Sequence, residues 1–250
     1  MTPTPKHRNK VFIAAALLVI LAVAAYLRLY GLNWDEGEWI HPDEGHMRMV
    51  NAVIQFPSEP AVYFDTHRSP LNSLNSGMPY SYGTLPLFAT RLTGELMNRA
   101  CESPTQGLGW AVTEFLLGGD ASQCAPGTFT GSRSAVVGRA LSALADLGTV
   151  LLVFFIGRRL LGDLAGVVAS GLAAFTAFTI QQAHFFTVDS IACFFTTAVA
   201  LFSLRASHTG AWRDFILAGL MVGLAAGCKI DGVFSAMLVA LAAAKYLFDE

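Results

Sequence analysis

Residues 11–30 read VFIAAALLVILAVAAYLRLY, an apolar run in which Arg28 is the single charged residue. A helix of this length is about 30 Å long and matches the hydrocarbon core of a bilayer. The preceding Lys6, Arg8 and Lys10 could also be the charged region of a signal peptide. The run has the length of a full span, however, and no small-residue cleavage site follows it. We therefore interpret it as an uncleaved first transmembrane helix.

The composition extends this interpretation to the whole chain. Hydrophobic residues make up 54% of the sequence, charged residues make up 14%, and the mean hydropathy is +0.50. These values lie outside the usual range of soluble domains. The net charge of −2 and the lack of a long basic run give no reason to expect a nucleic-acid partner. We predict an all-α, polytopic transmembrane bundle with six spans, at about residues 11–30, 135–157, 163–183, 188–206, 213–228 and 232–248.

The loop charges predict the orientation, because short cytoplasmic loops carry an excess of Lys and Arg. With six spans and a cytoplasmic N-terminus, the basic residues of the inner side are Lys6, Arg8, Lys10, Arg158, Arg159, Arg205, Arg213 and Lys245. A seventh span at residues 83–97 would move Arg158 and Arg159 to the outside. That stretch is short and contains charged residues, so we predict a helix that lies at the membrane interface.

This topology places residues 31–134 outside the membrane as one large polar loop. Loops of this size are usually functional or disordered. Cys101 and Cys124 lie in the loop and could form a disulfide in an oxidising compartment, but the sequence leaves their pairing open. Cys193 and Cys228 lie in apolar segments, where a thiol behaves as a small hydrophobe.

Two acidic positions on the outer face are candidates for chemistry. His41-Pro42-Asp43-Glu44 is typical of a helix start, since Pro and acidic residues are favoured in the first turn, and its carboxylates are also candidate general bases. Asp189 begins the fourth span, where it is either a cap or functional, because carboxylates near hydrocarbon are costly. Asp43 and Asp189 could meet as base and orienting group, or as ligands of a divalent metal ion.

Lys229 lies in the turn between the fifth and sixth spans, also on the outer face. It could bind a phosphate as a point charge, form an ion pair with Asp231, or extend to the membrane interface. Histidines occur on this face too, but without a metal-site spacing such as His-Glu-x-x-His, so we expect no His-ligated metal. They are His41, His46, His67 and His184.

Several motifs follow one another along the chain in a characteristic order. They are Arg28-Leu-Tyr-Gly-Leu, His41-Pro42-Asp43-Glu44, Tyr82-Gly-Thr-Leu-Pro86, Gly138-Arg139-Ala-Leu-Ser-Ala, Gly157-Arg-Arg-Leu-Leu-Gly162, His184 to Asp189 and Gly223-Leu-Ala-Ala-Gly-Cys-Lys229. In this order they resemble membrane glycosyltransferases of the GT-C superfamily, and most closely the protein O-mannosyltransferase and aminoarabinose transferase family (glycosyltransferase family 39-like). Members generally have more spans and often a soluble C-terminal domain, so the chain resembles an N-terminal portion.

The resemblance implies transfer of a sugar from a polyprenyl-phosphate carrier to an acceptor hydroxyl on the extracytoplasmic face, with inversion. It implies that Asp43, with Glu44 beside it, and Asp189 are the catalytic carboxylates. His41, Arg139, His184 and Lys229 are then expected to bind substrate, and Arg139 or Lys229 would stabilise the leaving phosphate. No cofactor is required, although the carboxylates permit a divalent metal. The partners implied are the lipid-linked donor, membrane lipid and an acceptor that is a protein, lipid or polysaccharide.

Two other classes of function remain open. A transporter should place charges at mid-membrane or contain broken helices in repeated halves, whereas the acidic residues here lie at outer helix ends without a visible repeat. A non-catalytic membrane scaffold predicts that Asp43 and Asp189 point apart. No motif encodes the identity of the sugar or of the acceptor.

Overall fold

A computed structural model describes residues 5–38, 40–102 and 107–249. Within these ranges the secondary structure is helical, without strands, as the sequence predicted. The α-helices there are α1 Pro5–Leu29, α2 Pro42–Val53, α3 Pro60–Tyr63, α4 Leu85–Glu102, α5 Leu108–Leu116, α6 Ser134–Leu161, α7 Asp163–Ala174, α8 Ala177–Ala183, α9 Asp189–Thr209, α10 Trp212–Cys228 and α11 Ala236–Asp249. Short 3-10 helices occur at Ser73–Ser76, Ala121–Gln123 and Ile230–Ser235.

Of the described helices, four are long and apolar enough to cross a membrane: Lys10–Leu29, Ser134–Leu161, Asp189–Thr209 and Ile230–Asp249. The number rises to five if α7 and α8, which are bent by 60°, count as one broken span. Six spans are therefore not confirmed. The predicted span 213–228 is helical as α10, but with 17 residues it is not among these candidates. The chain is a multi-pass membrane protein.

The predicted interfacial segment 83–97 corresponds to α4, which is not a candidate span among the described helices. Its location at the membrane interface stays a prediction.

The chain divides into two compact units. The loop unit consists of Gly31–Ser142 and His184–Val188, and the span unit consists of Met1–Tyr30, Ala143–Ala183 and Asp189–Glu250. Gly31 has a φ of 70°, the left-handed conformation that commonly follows a helix end.

The loop unit is built around α2 and α4, which contact each other. Its core combines apolar side chains of these helices with the segment before α9: Met47, Val50, Ile54, Leu87, Phe186 and Val188. A disulfide joins Cys101, at the end of α4, to Cys124, with the Cα atoms 5.3 Å apart. The pairing that the sequence left open is therefore present, and it fixes the segment that contains α5 against α4.

The span unit is centred on α9, which contacts both α10 and α11, while α1 contacts α7. A second core lies where α1, α6 and α7 meet, around Ala24, Val150 and Ala174. Two of these three residues are alanines, and small side chains let membrane helices approach closely. This close packing positions one charged group, Arg28, inside the unit.

Arg28 is fully buried near the end of α1. Its Nε donates to Oδ2 of Asp146 on α6 at 2.5 Å, and its Nη1 donates to the carbonyl of Ala174 at 3.0 Å. Ala174 is the last residue of α7, where the chain bends toward α8, so its carbonyl has no partner in the next helical turn. Unsatisfied carbonyls cost several kcal/mol in hydrocarbon. The guanidinium of Arg28 therefore stabilises the bend between α7 and α8, and Asp146 neutralises its positive charge.

We predict that Arg28→Met lowers the free energy of unfolding by about 3–5 kcal/mol, because it leaves Asp146 charged, buried and unpaired. Unfolding in detergent micelles, followed by circular dichroism, measures the change. The double variant Arg28→Met/Asp146→Leu removes both charges and should recover part of the loss. If the double variant were as unstable as the sum of the two single variants, the residues would not act as a pair.

Candidate active site

The first candidate region is the start of α2, where His41 is the N-cap and Pro42 begins the helix. The buried face of α2 includes Glu44, Met47, Arg48 and Asn51, at the i, i+3, i+4 and i+7 spacing of one helix face. Glu44 therefore points into the loop unit, whereas Asp43, one position earlier, is exposed. The two adjacent carboxylates have different environments.

Glu44 forms a bidentate ion pair with Arg139. Its Oε1 accepts from Nε at 2.7 Å and its Oε2 accepts from Nη2 at 2.6 Å. Both residues have no exposed surface. Such fork-to-fork pairs are among the strongest hydrogen-bonded contacts in proteins.

Arg139 also binds the turn that precedes α2. Its Nη1 donates to the carbonyl of Leu32 at 2.8 Å and to Oδ1 of Asp35 at 2.9 Å, and its Nη2 lies 2.7 Å from Oδ2 of Asp35. Arg48, one turn after Glu44, interacts favourably with both carboxylates and brings a second positive charge. The buried cluster of two arginines and two carboxylates is therefore balanced in charge.

Burial by itself raises the pKa of Asp35, but hydrogen bonds from Arg139 and the Gly37 amide outweigh this effect and hold the pKa below its usual value. The carboxylate therefore stays ionised in the folded protein. Its contribution to stability is present at neutral pH and is lost as the pH falls through the lowered pKa.

The segment before α9 joins the same cluster. The amide of Phe186 donates to Oε1 of Glu44 at 2.9 Å, and the Phe186 ring lies against Gly138, where any Cβ would overlap it. Trp34 donates from Nε1 to the carbonyl of His184 at 3.1 Å, and its ring centroid lies 5.2 Å from Cζ of Arg139. Glycine at position 138 thus lets Phe186 approach the helix that carries Arg139.

The histidines predicted to bind substrate both lie at this segment. The His41 ring is 4.4 Å from the ring of Phe185, centroid to centroid, and the backbone of His184 accepts the bond from Trp34. Their contact with a substrate stays a prediction.

The second candidate region lies in the span unit, at the start of α9. Lys229 Nζ is 3.4 Å from Oδ1 of Asp189, and both side chains are close to half-exposed. They lie at the edge of a groove of about 650 Å³ between α9 and α11. Asp231 lines the same edge, and the groove continues along apolar side chains that include Phe234, Met237, Leu238 and Leu241.

The structure thus brings the predicted site residues together in two sets. His41, Glu44, Arg139 and His184 belong to the loop unit, and Asp189 and Lys229 form a pair in the span unit. Asp43 belongs to the loop unit. The meeting of Asp43 with Asp189, and a metal ion bound by them, stay predictions. No cluster of three or more metal-binding side chains occurs among the residues described.

Sequence reasoning missed Asp35 and Trp34 as partners of Arg139. The available signal was Arg139 itself, an arginine in the first turns of an apolar helix, which requires nearby carboxylates when it is buried. The acidic stretch at residues 35–38 was the nearest source of such carboxylates on the outer face.

Part of the chain is similar to a known protein family. Residues 128–249 match the family model described as dolichyl-phosphate-mannose-protein mannosyltransferase. The matched range contains Arg139, Asp189 and Lys229, while Asp43 and Glu44 precede it. No match was found among curated proteins or among solved structures.

For residues 128–249 the family match confirms the resemblance inferred from the sequence motifs. The matched residues make up just under half of the chain, and the family they resemble consists of membrane glycosyltransferases. Within that class, the matched residues are similar to the protein mannosyltransferases named in the family description.

We predict that Glu44→Gln destabilises the loop unit by about 3–5 kcal/mol, because it leaves the buried Arg139 without its bidentate partner. Asp43→Asn is the matched control. It removes a carboxylate one residue away that contributes only an interaction with the helix dipole, worth about 0.3–1 kcal/mol. Thermal unfolding of both variants in the same detergent gives the comparison, and equal stability of the two would contradict a structural role for Glu44.

Proposed function

We propose that the protein transfers a sugar from a polyprenyl-phosphate carrier to an acceptor hydroxyl on the extracytoplasmic face of the membrane, with inversion. The observation that carries this proposal is the groove between α9 and α11, which combines a charged edge with apolar walls. A polyprenyl phosphate likewise combines a charged phosphate with an apolar chain. The groove volume also falls within the range of small-molecule sites.

In this proposal the carrier phosphate lies at Lys229 and the first isoprenoid units lie along the apolar walls formed by Phe234, Leu238 and Leu241. The ammonium of Lys229 is partly exposed and has three N–H donors. It can therefore contact a phosphate while Asp189 accepts a hydrogen bond from one of these donors. Asp189 then acts as the group that orients Lys229. The ammonium stabilises the charge that develops on the phosphate as it leaves.

Asp43 is our choice for the general base. The acceptor oxygen attacks the anomeric carbon and forms the new glycosidic bond, while its proton passes to the Asp43 carboxylate. The bond between the anomeric carbon and the phosphate oxygen breaks, and its electron pair leaves with the phosphate. Attack from the face opposite the phosphate inverts the configuration. Asp43 suits this role because it is exposed, whereas Glu44 is not.

We propose that Glu44 and Arg139 position the site rather than touch the substrate. Glu44 accepts from Arg139 with both oxygens and from the Phe186 amide. Arg139 makes four hydrogen bonds within the loop unit and is fully buried. A phosphate would have to displace these contacts to reach the guanidinium. Lys229 is the better candidate for the leaving phosphate, and His41 and His184 remain the proposed contacts for the sugar or acceptor.

The proposed orientation puts the N-terminus in the cytoplasm and residues 31–134 outside, with six spans that include α10 and the bent pair α7 and α8. The disulfide between Cys101 and Cys124 supports this orientation, since disulfides persist in oxidising compartments. The arginines at residues 158, 159 and 205 then lie on the inner side, as the positive-inside rule requires.

A transporter would use broken helices and buried charges to line a pathway. Among the residues described there is one such break, at α7 and α8, with one buried ion pair near it, Arg28 and Asp146. These groups are satisfied by each other and by the carbonyl of Ala174, and Arg28 has no exposed surface. We therefore assign a structural role, rather than a role in transport, to this break and to the ion pair beside it.

We predict that Asp43→Asn lowers turnover by at least about 100-fold, the typical contribution of a general base, with little change in stability. Glu59→Gln, an exposed carboxylate in the same unit that makes no capping bond, should keep normal turnover. The assay uses the detergent-purified full chain with a polyprenyl-phosphate sugar and follows transfer to an added acceptor. Turnover of the Asp43 variant at the level of the Glu59 variant would remove Asp43 from the mechanism.

We also predict that Leu241→Trp raises the KM for the lipid-linked donor several-fold and leaves kcat nearly unchanged, because the larger side chain occupies the proposed carrier groove. Leu247→Trp is the control, since Leu247 is exposed on the same helix and does not line the groove. Steady-state kinetics with varied donor separate the two constants. An unchanged KM in the groove variant would argue against carrier binding there.

A further inference from the structure

A second groove lies at the opposite end of α9 from Asp189. Its volume is about 620 Å³, and it is lined by the C-terminal parts of α6 and α9 together with the first turn of α10. No step of the proposed transfer reaction uses this groove.

The groove is apolar toward the middle of the helices and basic at their ends. On α6, Leu152 and Phe155 precede Arg159 at spacings of seven and four residues, which places all three on one face. On α9, Leu201 precedes Arg205 by one helical turn. Both helices therefore present apolar side chains to the groove first and an arginine one turn later along the chain.

The charges of the lining are not balanced. Arg158, Arg159 and Arg205 line the groove together with one carboxylate, Asp214, so positive charge exceeds negative charge by two. Arg205 pairs with Asp214 at 3.0 Å, and Arg158 pairs with Asp163 at 2.7 Å. Among the described residues, no carboxylate forms an ion pair with Arg159.

We propose that this groove binds an anionic glycerophospholipid. Its phosphate lies between Arg158, Arg159 and Arg205, and its acyl chains lie on Leu152, Phe155 and Phe202. Arginine suits this ligand because its planar fork binds phosphate oxygens with two parallel hydrogen bonds. Basic pockets between transmembrane helices on the cytoplasmic side are a known form of phospholipid recognition.

The helix dipole alone accounts for arginines at the C-terminal ends of α6 and α9. It does not account for an open groove between those ends with apolar walls leading into the bilayer. The proposed topology, on which this step rests, places the groove in the cytoplasmic leaflet, where anionic lipids are concentrated.

The test compares lipid binding by three forms of the full chain: wild type, the double variant Arg158→Gln/Arg159→Gln, and Arg213→Gln. Arg213 is exposed, immediately precedes Asp214, stacks on Trp212 and does not line the groove, so its loss removes a nearby positive charge without removing a lining residue. Arg205 is left in place, because its removal would leave the buried Asp214 unpaired. Phosphatidylglycerol and phosphatidylcholine are titrated into the detergent-purified protein, and binding is followed by native mass spectrometry.

We expect wild type and the Arg213 variant to retain one phosphatidylglycerol, and the double variant to bind it at least tenfold more weakly, since each arginine near a lipid phosphate contributes about fivefold. Glycerol phosphate without acyl chains should not compete at equal concentration. Equal binding of phosphatidylcholine, equal loss in the Arg213 variant, unchanged binding in the double variant, or full competition by glycerol phosphate would each overturn the proposal. Transfer activity is not the readout, so failure here leaves the proposed function untouched.

Discussion

The bidentate ion pair between Glu44 and Arg139 is the interaction on which the loop unit depends. It joins α2 to α6, and its two partners also hold the turn at Leu32 and Asp35 and the amide of Phe186. Three distant parts of the chain, residues 32–44, α6 and Phe186, therefore meet at one buried ion pair. A buried arginine is costly unless its charge and its donors are satisfied, so these segments are constrained together.

This constraint explains how adjacent carboxylates acquire different environments. The face of α2 that carries Glu44, Met47 and Asn51 is fixed by the ion pair and the apolar core, so the next face of the helix must point to solvent. Asp43 lies on that face, at the end of the helix where the dipole favours a negative charge. A base for acceptor activation, the role proposed for Asp43, must be accessible and held in place, and the buried Glu44 beside it anchors this turn of the helix.

The sequence predicted the helical class, most of the long apolar helices and the motifs, because the length and periodicity of apolar runs are local properties. It did not predict the break between α7 and α8, since that break depends on Arg28 from a helix about 145 residues earlier in the chain. The partners Asp35 and Trp34 of Arg139 were missed for the same reason. The sequence does not distinguish one acidic residue of a polar loop from another, because only the folded structure brings one of them to Arg139.

Burial separates structural charges from charges that are accessible to ligands. Arg28, Glu44 and Arg139 have no exposed surface, and each makes several hydrogen bonds within the protein, so a ligand could reach them only by breaking the fold. Lys229 and Arg158 are instead 40% and 50% exposed, and each borders a groove with apolar walls. In a protein surrounded by hydrocarbon, a partly exposed cation beside an apolar groove is complementary to the phosphate and chains of a lipid. The two ends of α9 therefore suit two different lipids, the proposed sugar carrier at one and a bilayer phospholipid at the other.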